Sequence, residues 1–221
     1  MVSRLAALPP PDLYVILDPA ASGGRDPVAL AAAVLAAGAR WIQLRAKDAS
    51  TRDLLTLARR VGEHVRAVGG VFIVNDRPDV ALAAAASGVH LGQDDLPARE
   101  ARRLAPDLIL GVSTHDVDQA RQAEADGADY VALGSIFPTG SKPAFQLVGL
   151  ETLRRVRAQV KGPLLAIGGM TVERVPVVLG AGADGVAVIS AIGATPDPGA
   201  ATAAFLATLR AESGGAPGTS P

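Results

Sequence analysis

The chain of 221 residues contains no cysteine. That excludes disulfides, thiolate zinc sites and cysteine nucleophiles, and it suits a reducing, cytoplasmic setting. Excess charge is missing as well. A formal net charge of −1 gives no electrostatic reason to bind nucleic acid or an anionic membrane surface. Apolar stretches such as Ala29–Ala39 are alanine-rich and shorter than the roughly 20 residues that span a bilayer, so no membrane partner is expected. The opening MVSRLAALPP has neither a long apolar centre nor a small-residue cleavage pattern, so no signal peptide is expected. Lysine is scarce: only Lys47, Lys142 and Lys161 are lysine, and the other basic residues are arginine. A compact ammonium and a planar guanidinium do different work, and Lys47 and Lys142 both fall in expected strand-end loops. Asparagine is scarcer still, with Asn75 alone, beside Asp76.

What the chain does have is a regular alternation. Apolar, β-branched runs at Leu13–Leu17, Arg40–Arg45, Val71–Val74, Val89–Leu91, Leu108–Ser113, Tyr130–Leu133, Pro163–Ile167 and Gly185–Ile189 read as buried parallel strands. Helices are expected between them. Asp26-Pro27 opens the first and Gly38 closes it; Ser50 caps Thr51–Val68, with Asp53 placed for a capping box. Others follow from Pro78, over Pro97–Leu104, over Val117–Asp126 behind an Asp116/Gln119 cap, and over Leu150–Val160, Val172–Leu179 and Gly199–Ala211. AGAR, SGVH, DGADY and AGADGV recur before strands and read as helix-to-strand turns, glycine ending each helix. Eight such units without a break in composition favour one closed (β/α)8 TIM barrel over an open doubly wound sheet. The expected organisation is an N-terminal extension over 1–11, a catalytic barrel over 12–211 and a flexible tail over 212–221.

In such a barrel the C-terminal ends of all strands open onto one face, where ligands bind. Two successive strands end in acids: the run Val71–Val74 in Asn75-Asp76, and Val89–Leu91 in Gln93-Asp94-Asp95. Asp76 and Asp95 are candidate ligands for a hard cation such as Mg2+. Spacing alone does not separate Asp95 from Asp94, and Asp76 has a simpler reading as a helix cap paired with Arg77. In the second strand Trp41, Gln43, Arg45 and Lys47 share one parity and Ile42 and Leu44 the other. If the aliphatic pair packs under helices, an amide and two cations enter the barrel or its mouth, suited to a pyrophosphate; a rim salt-bridge cluster is the alternative. Ser113 ends the fifth strand, where a hydroxyl binds substrate or caps the turn. His90 is expected inside the barrel, His64 on the surface and His115 in a loop. Phe137–Lys142, FPTGSK, lies in a long loop over 135–148 that reads as a lid; it lacks Walker A spacing. Gly168-Gly169 and Ile189-Ser190 end the last two strands, where barrels bind phosphate through main-chain N–H groups. Two phosphate regions suggest two phosphorylated substrates or one bisphosphate, and no nucleophilic triad is visible.

The motifs QLRAK (43–47), VND (74–76), HLGQDD (90–95), GVSTH (111–115), GSIFPTGSK (134–142), AIGGMT (166–171) and ADGVAVISAI (183–192) resemble those of the thiamine-phosphate synthase family, in the same order. The resemblance implies a transferase joining 4-amino-5-hydroxymethyl-2-methylpyrimidine diphosphate to a thiazole phosphate, plain or carboxylated, with release of pyrophosphate. It implies that the stretch Gln43, Leu44, Arg45, Ala46 and Lys47, with Asn75, Ser113 and Lys142, binds the pyrimidine diphosphate. Arg45, Lys47, Ser113 and Lys142 would carry catalysis. Asp76 and Asp95 would hold Mg2+, which selects Asp95 over Asp94. Thr139, Gly140, Ser141, Gly169, Ile189 and Ser190 would meet the thiazole phosphate. Ala46 stands where an acid is common, with its parity turned away from the pocket; Ser141 replaces a commoner threonine and keeps the hydroxyl. The implied partners are two small phosphorylated heterocycles; a homodimer is compatible with the chain, whose copy number the sequence does not fix. Two other readings are a thiazole tautomerase-like isomerase on the same barrel, centred near His115, and a non-catalytic thiamine-phosphate sensor.

Overall fold

A computed structural model describes Leu5 and residues 8–140 and 146–214. All eight expected strands are present: β1 (Leu13–Leu17), β2 (Trp41–Leu44), β3 (Val71–Asn75), β4 (Gly88–Leu91), β5 (Ile109–Thr114), β6 (Tyr130–Leu133), β7 (Leu164–Ile167) and β8 (Gly185–Val188). They pair in chain order, all parallel, and β8 closes onto β1, giving the (β/α)8 TIM barrel. Side chains alternate across the wall as strand geometry requires. Tyr14, Trp41, Ile73, Tyr130 and Leu165 fill the interior, while Val15, Ile42, Leu44 and Val74 pack outward. The outer layer comprises α1 (Pro27–Ala36), α2 (Thr51–Ala67), α3 (Pro78–Ala83), α4 (Ala98–Leu104), α5 (Val117–Ala125), α6 (Gly149–Arg157), α7 (Val175–Gly180), α8 (Ser190–Gly193) and α9 (Pro198–Gly214).

The capping signals operate as read. Asp26 accepts the Val28 N–H at 3.2 Å, Ser50 the Asp53 N–H at 3.2 Å, and Asp116 the Gln119 N–H at 2.8 Å. Some elements differ, among them the helix expected over Leu150–Val160, which ends at Arg157. The helix expected over Val172–Leu179 begins as a 3-10 turn, Val172–Arg174, and becomes α-helical only at α7. Pro176 has no N–H to donate, and its ring would clash with the carbonyl four residues back, so it fits only a first turn. The short α8 was not foreseen. Helix α9 runs to Gly214, three residues into the expected tail, and residues 215–221 lie outside the described part.

One turn needs correction. Gly38, Gly127 and Gly182 end their helices at φ of 109°, 93° and 101°, as the repeat predicts. In SGVH the glycine does not end a helix. The positive-φ position there is Ala85 (φ 49°), and Gly88 is already in β4, where a Cβ would lie 2.2 Å from the Ile109 carbonyl oxygen. Positive φ costs an alanine about 1 kcal/mol, partly offset by the greater chain entropy of an unfolded glycine. Ala85→Gly should therefore raise the denaturant midpoint, by about 0.5 kcal/mol equivalent, whereas Gly88→Ala should lower it sharply.

The N-terminal end of the barrel is stapled and closed. Asp129 accepts the Leu110 N–H at 2.9 Å and pairs with Arg102 at 2.6 Å. Asp184 repeats this with the Leu164 N–H at 2.8 Å and Arg157 at 2.8 Å. Leu5 and Leu8 pack against the interior cluster, and the Trp41 indole donates to the Pro9 carbonyl at 2.8 Å.

Candidate active site

At the other end, the parity of β2 places its residues as expected. With Ile42 and Leu44 under the helices, Gln43 lies inside the barrel, 2% exposed, donating from Nε2 to the Tyr14 hydroxyl at 2.7 Å. The Leu44 side chain is fully buried on the helix side, so only its main chain is left for a ligand. Ala46 is half-buried and packs on the helix side, yet it also lines the mouth cleft, against the expectation that its parity turns it away from the pocket. Arg45 turns inward to an ion pair with Asp18, a carboxylate only 3% exposed at the end of β1 that also accepts the Ala21 N–H at 3.2 Å. Asp18 was not anticipated, although it obeys the strand-end rule that marked Asp76.

Asp76 sits in a tight turn. The Arg77 N–H returns to the Asn75 carbonyl at 2.8 Å, and Asp76 takes φ 63°, a conformation unusual without glycine. Its own N–H is held by the His90 carbonyl at 2.8 Å. The cap reading fails: Arg77 pairs with Asp79 at 2.6 Å, and Asp76 instead meets Lys47 Nζ at 3.0 Å. Asp95 joins them, accepting the Gly92 N–H at 2.6 Å and lying in hydrogen-bonding contact with Asp76. Burial first, then the Asp76 hydrogen bond and charge, hold the Asp95 carboxyl above its ordinary range, against the pull of Gly92 and Lys47. Asp94 is exposed. Two adjoining carboxylates flanked by an ammonium form a donor set suited to a divalent cation that completes its shell with other oxygens. Among the described residues no group of three or more His, Cys, Asp or Glu would hold a metal through protein alone. Asn75, at the end of β3, makes no side-chain hydrogen bond among the described residues and is half-buried.

Across the barrel, Ser113 Oγ lies 2.9 Å from His90 Nε2, and His90 Nδ1 lies 3.0 Å from the Tyr130 hydroxyl. The Tyr130 and Tyr14 hydroxyls are 2.9 Å apart. Burial pushes both phenols well up, so both keep their protons. Gly111 makes room for this arrangement, since a Cβ there would lie 2.0 Å from Tyr130 Cζ. The two tyrosines are the only ones in the chain, and their strand positions mark them as core rather than as polar groups. His64 is exposed on α2. His115 binds Gln119 Oε1 through Nδ1 at 3.1 Å and faces a cavity at the mouth.

Two cavities open side by side. A cleft of about 880 Å³ is lined by Asp18, Arg45, Lys47, Gly140 and Ser190. A narrower one of about 170 Å³ is lined by Ser113, Thr139, Gly169, Ile189 and Ser190. Ser190 belongs to both, so the expected diphosphate and phosphate regions adjoin. Gly140, expected with the thiazole-phosphate residues, lines the cation cleft, and Ser113, expected beside the cations, lines the narrower cavity. Its wall is set by interlocked loops: a Cβ on Gly168 (φ 97°) would lie 1.8 Å from Ser135 Oγ, and one on Gly169 (φ 61°) 2.4 Å from the Pro138 carbonyl. Arg174 clasps the Gly169 carbonyl and stacks 4.5 Å above the Phe137 ring. Ser141 and Lys142 lie outside the described residues.

A family model described as thiamine monophosphate synthase matches residues 13–192. A thiamine-phosphate synthase from Moorella thermoacetica is 51% identical over 196 residues, covering 88% of this chain and 93% of that protein. One from Pyrococcus horikoshii is 43% identical over 190 residues, covering 86% and 90%. The solved thiamine phosphate pyrophosphorylase of Pyrococcus furiosus superposes with a TM-score of 0.85 at 37% identity, covering 95% of this chain and 98% of that one.

Proposed function

Because the chain belongs to the thiamine monophosphate synthase family, we propose that it is a transferase that joins an aminopyrimidine diphosphate to a thiazole phosphate, releasing pyrophosphate and forming thiamine phosphate. The observation that supports this reading is that two cavities adjoin at one mouth and share Ser190, with the cations Arg45 and Lys47 on one side and Thr139 and Gly169 on the other. Beside them stands the Asp76–Asp95 pair.

The reaction breaks the bond between the pyrimidine methylene and the diphosphate oxygen, and the bonding pair leaves with the diphosphate. Arg45, fixed by Asp18, and Lys47 face that growing charge; Lys142 belongs with them by resemblance. Mg2+ held by Asp76 and Asp95 would supply further charge neutralisation to the leaving group. The electron-rich aminopyrimidine stabilises the methylene cation, and the thiazole nitrogen donates its pair to that carbon. Gln43, Asn75 and Ser113 hold the pyrimidine ring, while Gly140, Ser141 and Ile189 join Thr139, Gly169 and Ser190 on the thiazole phosphate. No strong general base is required, in keeping with the lack of a triad in the sequence. A closed mouth excludes water that would capture the cation.

Purified protein mixed with both precursors and Mg2+ should form thiamine phosphate and pyrophosphate, and EDTA should stop it. Lack of product with both precursors and metal present would overturn the proposal. The isomerase reading draws on His115, whose Nδ1 is tied to Gln119 and which lines the narrower cavity. That reading leaves Arg45, Lys47, Asp76 and Asp95 without work. It would gain only if His115→Ala alone removed turnover.

A further inference from the structure

The barrel interior contains a continuous hydrogen-bonded file of five side chains. It runs from Gln43 Nε2 to the Tyr14 hydroxyl (2.7 Å), the Tyr130 hydroxyl (2.9 Å), His90 Nδ1 (3.0 Å) and, through the imidazole, from Nε2 to Ser113 Oγ (2.9 Å). Ser113 lines the narrower cavity. Among the described residues Gln43 Oε1 has no hydrogen-bond partner, yet Ser22 Oγ is the one fully enclosed side-chain polar atom without a partner among them. Gln43 Oε1 is therefore not fully enclosed, and Gln43 stands two residues before Arg45, which lines the mouth cleft, on the same inward parity.

Each hydroxyl in such a file has one proton to give, and a neutral imidazole has one donor and one acceptor nitrogen. If Gln43 donates to Tyr14, Tyr14 must donate to Tyr130, and Tyr130 to His90 Nδ1. His90 then carries its proton on Nε2 and donates it to Ser113 Oγ. The Ser113 proton is thereby freed for the mouth, while Gln43 presents a carbonyl. Rotating the Gln43 amide reverses every bond: Gln43 presents its NH2, His90 holds its proton on Nδ1, and Ser113 donates inward. A mixture of directions would leave a buried phenol proton or lone pair unmatched, at the cost of a lost hydrogen bond.

We propose that Tyr14, Tyr130 and His90 are positioning residues, forming a relay that couples Gln43 to Ser113 so that one meets the ligand as acceptor whenever the other meets it as donor. With Gln43 Nε2 placed against the Tyr14 hydroxyl, the direction that follows presents the Gln43 carbonyl and the Ser113 proton. An aminopyrimidine has an amino donor beside a ring-nitrogen acceptor, so its edge matches one direction and opposes the other. This last step rests on the transferase reading; the coupling itself does not.

The chain has three histidines, so protein labelled in histidine ring nitrogen gives a spectrum simple enough to assign with His64→Gln and His115→Gln. In the free wild-type protein His90 should be the Nε2–H tautomer. Gln43→Glu replaces the donor with an acceptor-only carboxylate, three hydrogen bonds away from the imidazole. It should move His90 to the Nδ1–H tautomer. Tyr14→Phe, which removes a hydroxyl two hydrogen bonds from the imidazole, should leave both tautomers populated. It keeps the test intact if Gln43→Glu fails to fold. An unchanged His90 tautomer in the folded variants would overturn the relay.

In turnover, Tyr14→Phe should lower kcat/KM about tenfold in the wild type but by less than about twofold in a Ser113→Ala background, because uncoupled sites this far apart would simply multiply. Equal effects in both backgrounds would also overturn the relay. A wild-type protein with no turnover would instead count against the transferase reading and leave the tautomer result standing.

Discussion

Asp76→Asn is expected to lower metal-dependent kcat/KM on the order of a thousandfold, comparable with losing a principal source of leaving-group stabilisation, while the fold stays intact. The substitution removes one of the two anionic donors beside Lys47. Asparagine is among the side chains that best tolerate positive φ, so the turn at φ 63° survives. Asp76→Ala should lose as much turnover but adds backbone strain of about 1 kcal/mol. Stability without metal should move the other way in the asparagine variant. A carboxyl raised in the folded state, as Asp95 is, favours folding below the ordinary carboxylate pKa, and that contribution is lost as pH rises through the raised value. Neutralising Asp76 removes the part of this raise that Asp76 causes. The thermal midpoint near neutral pH should therefore match or exceed the wild type, with a shallower fall between acid and neutral pH. Initial rates with and without Mg2+, beside melting curves across that range, check both halves. Full activity would remove Asp76 from the mechanism.

Arg45→Ala should combine the two largest penalties available at this site. Asp18 is 3% exposed and its ion-pair partner is Arg45, so truncation leaves a buried carboxylate without its guanidinium. Breaking a buried pair from one side costs about 3 kcal/mol or more. Turnover should fall on the order of a hundredfold as well, because the guanidinium also faces the departing diphosphate. The effects separate in the double variant. Adding Asp18→Asn to Arg45→Ala removes the orphaned charge and should recover most of the lost denaturant midpoint, with no recovery of rate. If the double variant regained its rate, Arg45 would be a structural residue and no more.

These two residues also show what the sequence makes legible. The parity of Trp41, Gln43, Arg45 and Lys47 is sufficient to aim them inward, because strand alternation is fixed once Ile42 and Leu44 are known to pack outward. Asp18 carries the same strand-end signal as Asp76 but follows an apolar run with no second acid nearby, so nothing in the local pattern draws notice to it. The contact between Asp76 and Asp95 joins neighbouring strands and depends on a turn that pushes Asp76 to positive φ, which composition does not announce. Tyr14 and Tyr130 look like core residues, and they are; their polar partnership follows from barrel closure, which brings β1 and β6 face to face across the interior. Ala85 shows the opposite error. The glycine of SGVH looked like a helix stop because Gly38, Gly127 and Gly182 are, yet Gly88 is small to let β4 pass Ile109.

The closed N-terminal end has a kinetic corollary. Leu5, Leu8 and the Pro9 carbonyl stopper the barrel beneath Trp41, and aromatic and aliphatic side chains fill the bore above. A vessel sealed below has a single doorway. Both reactants must therefore enter, and both products leave, at the mouth where the two cavities adjoin, so a product retained in either one stands beside the entrance of the other.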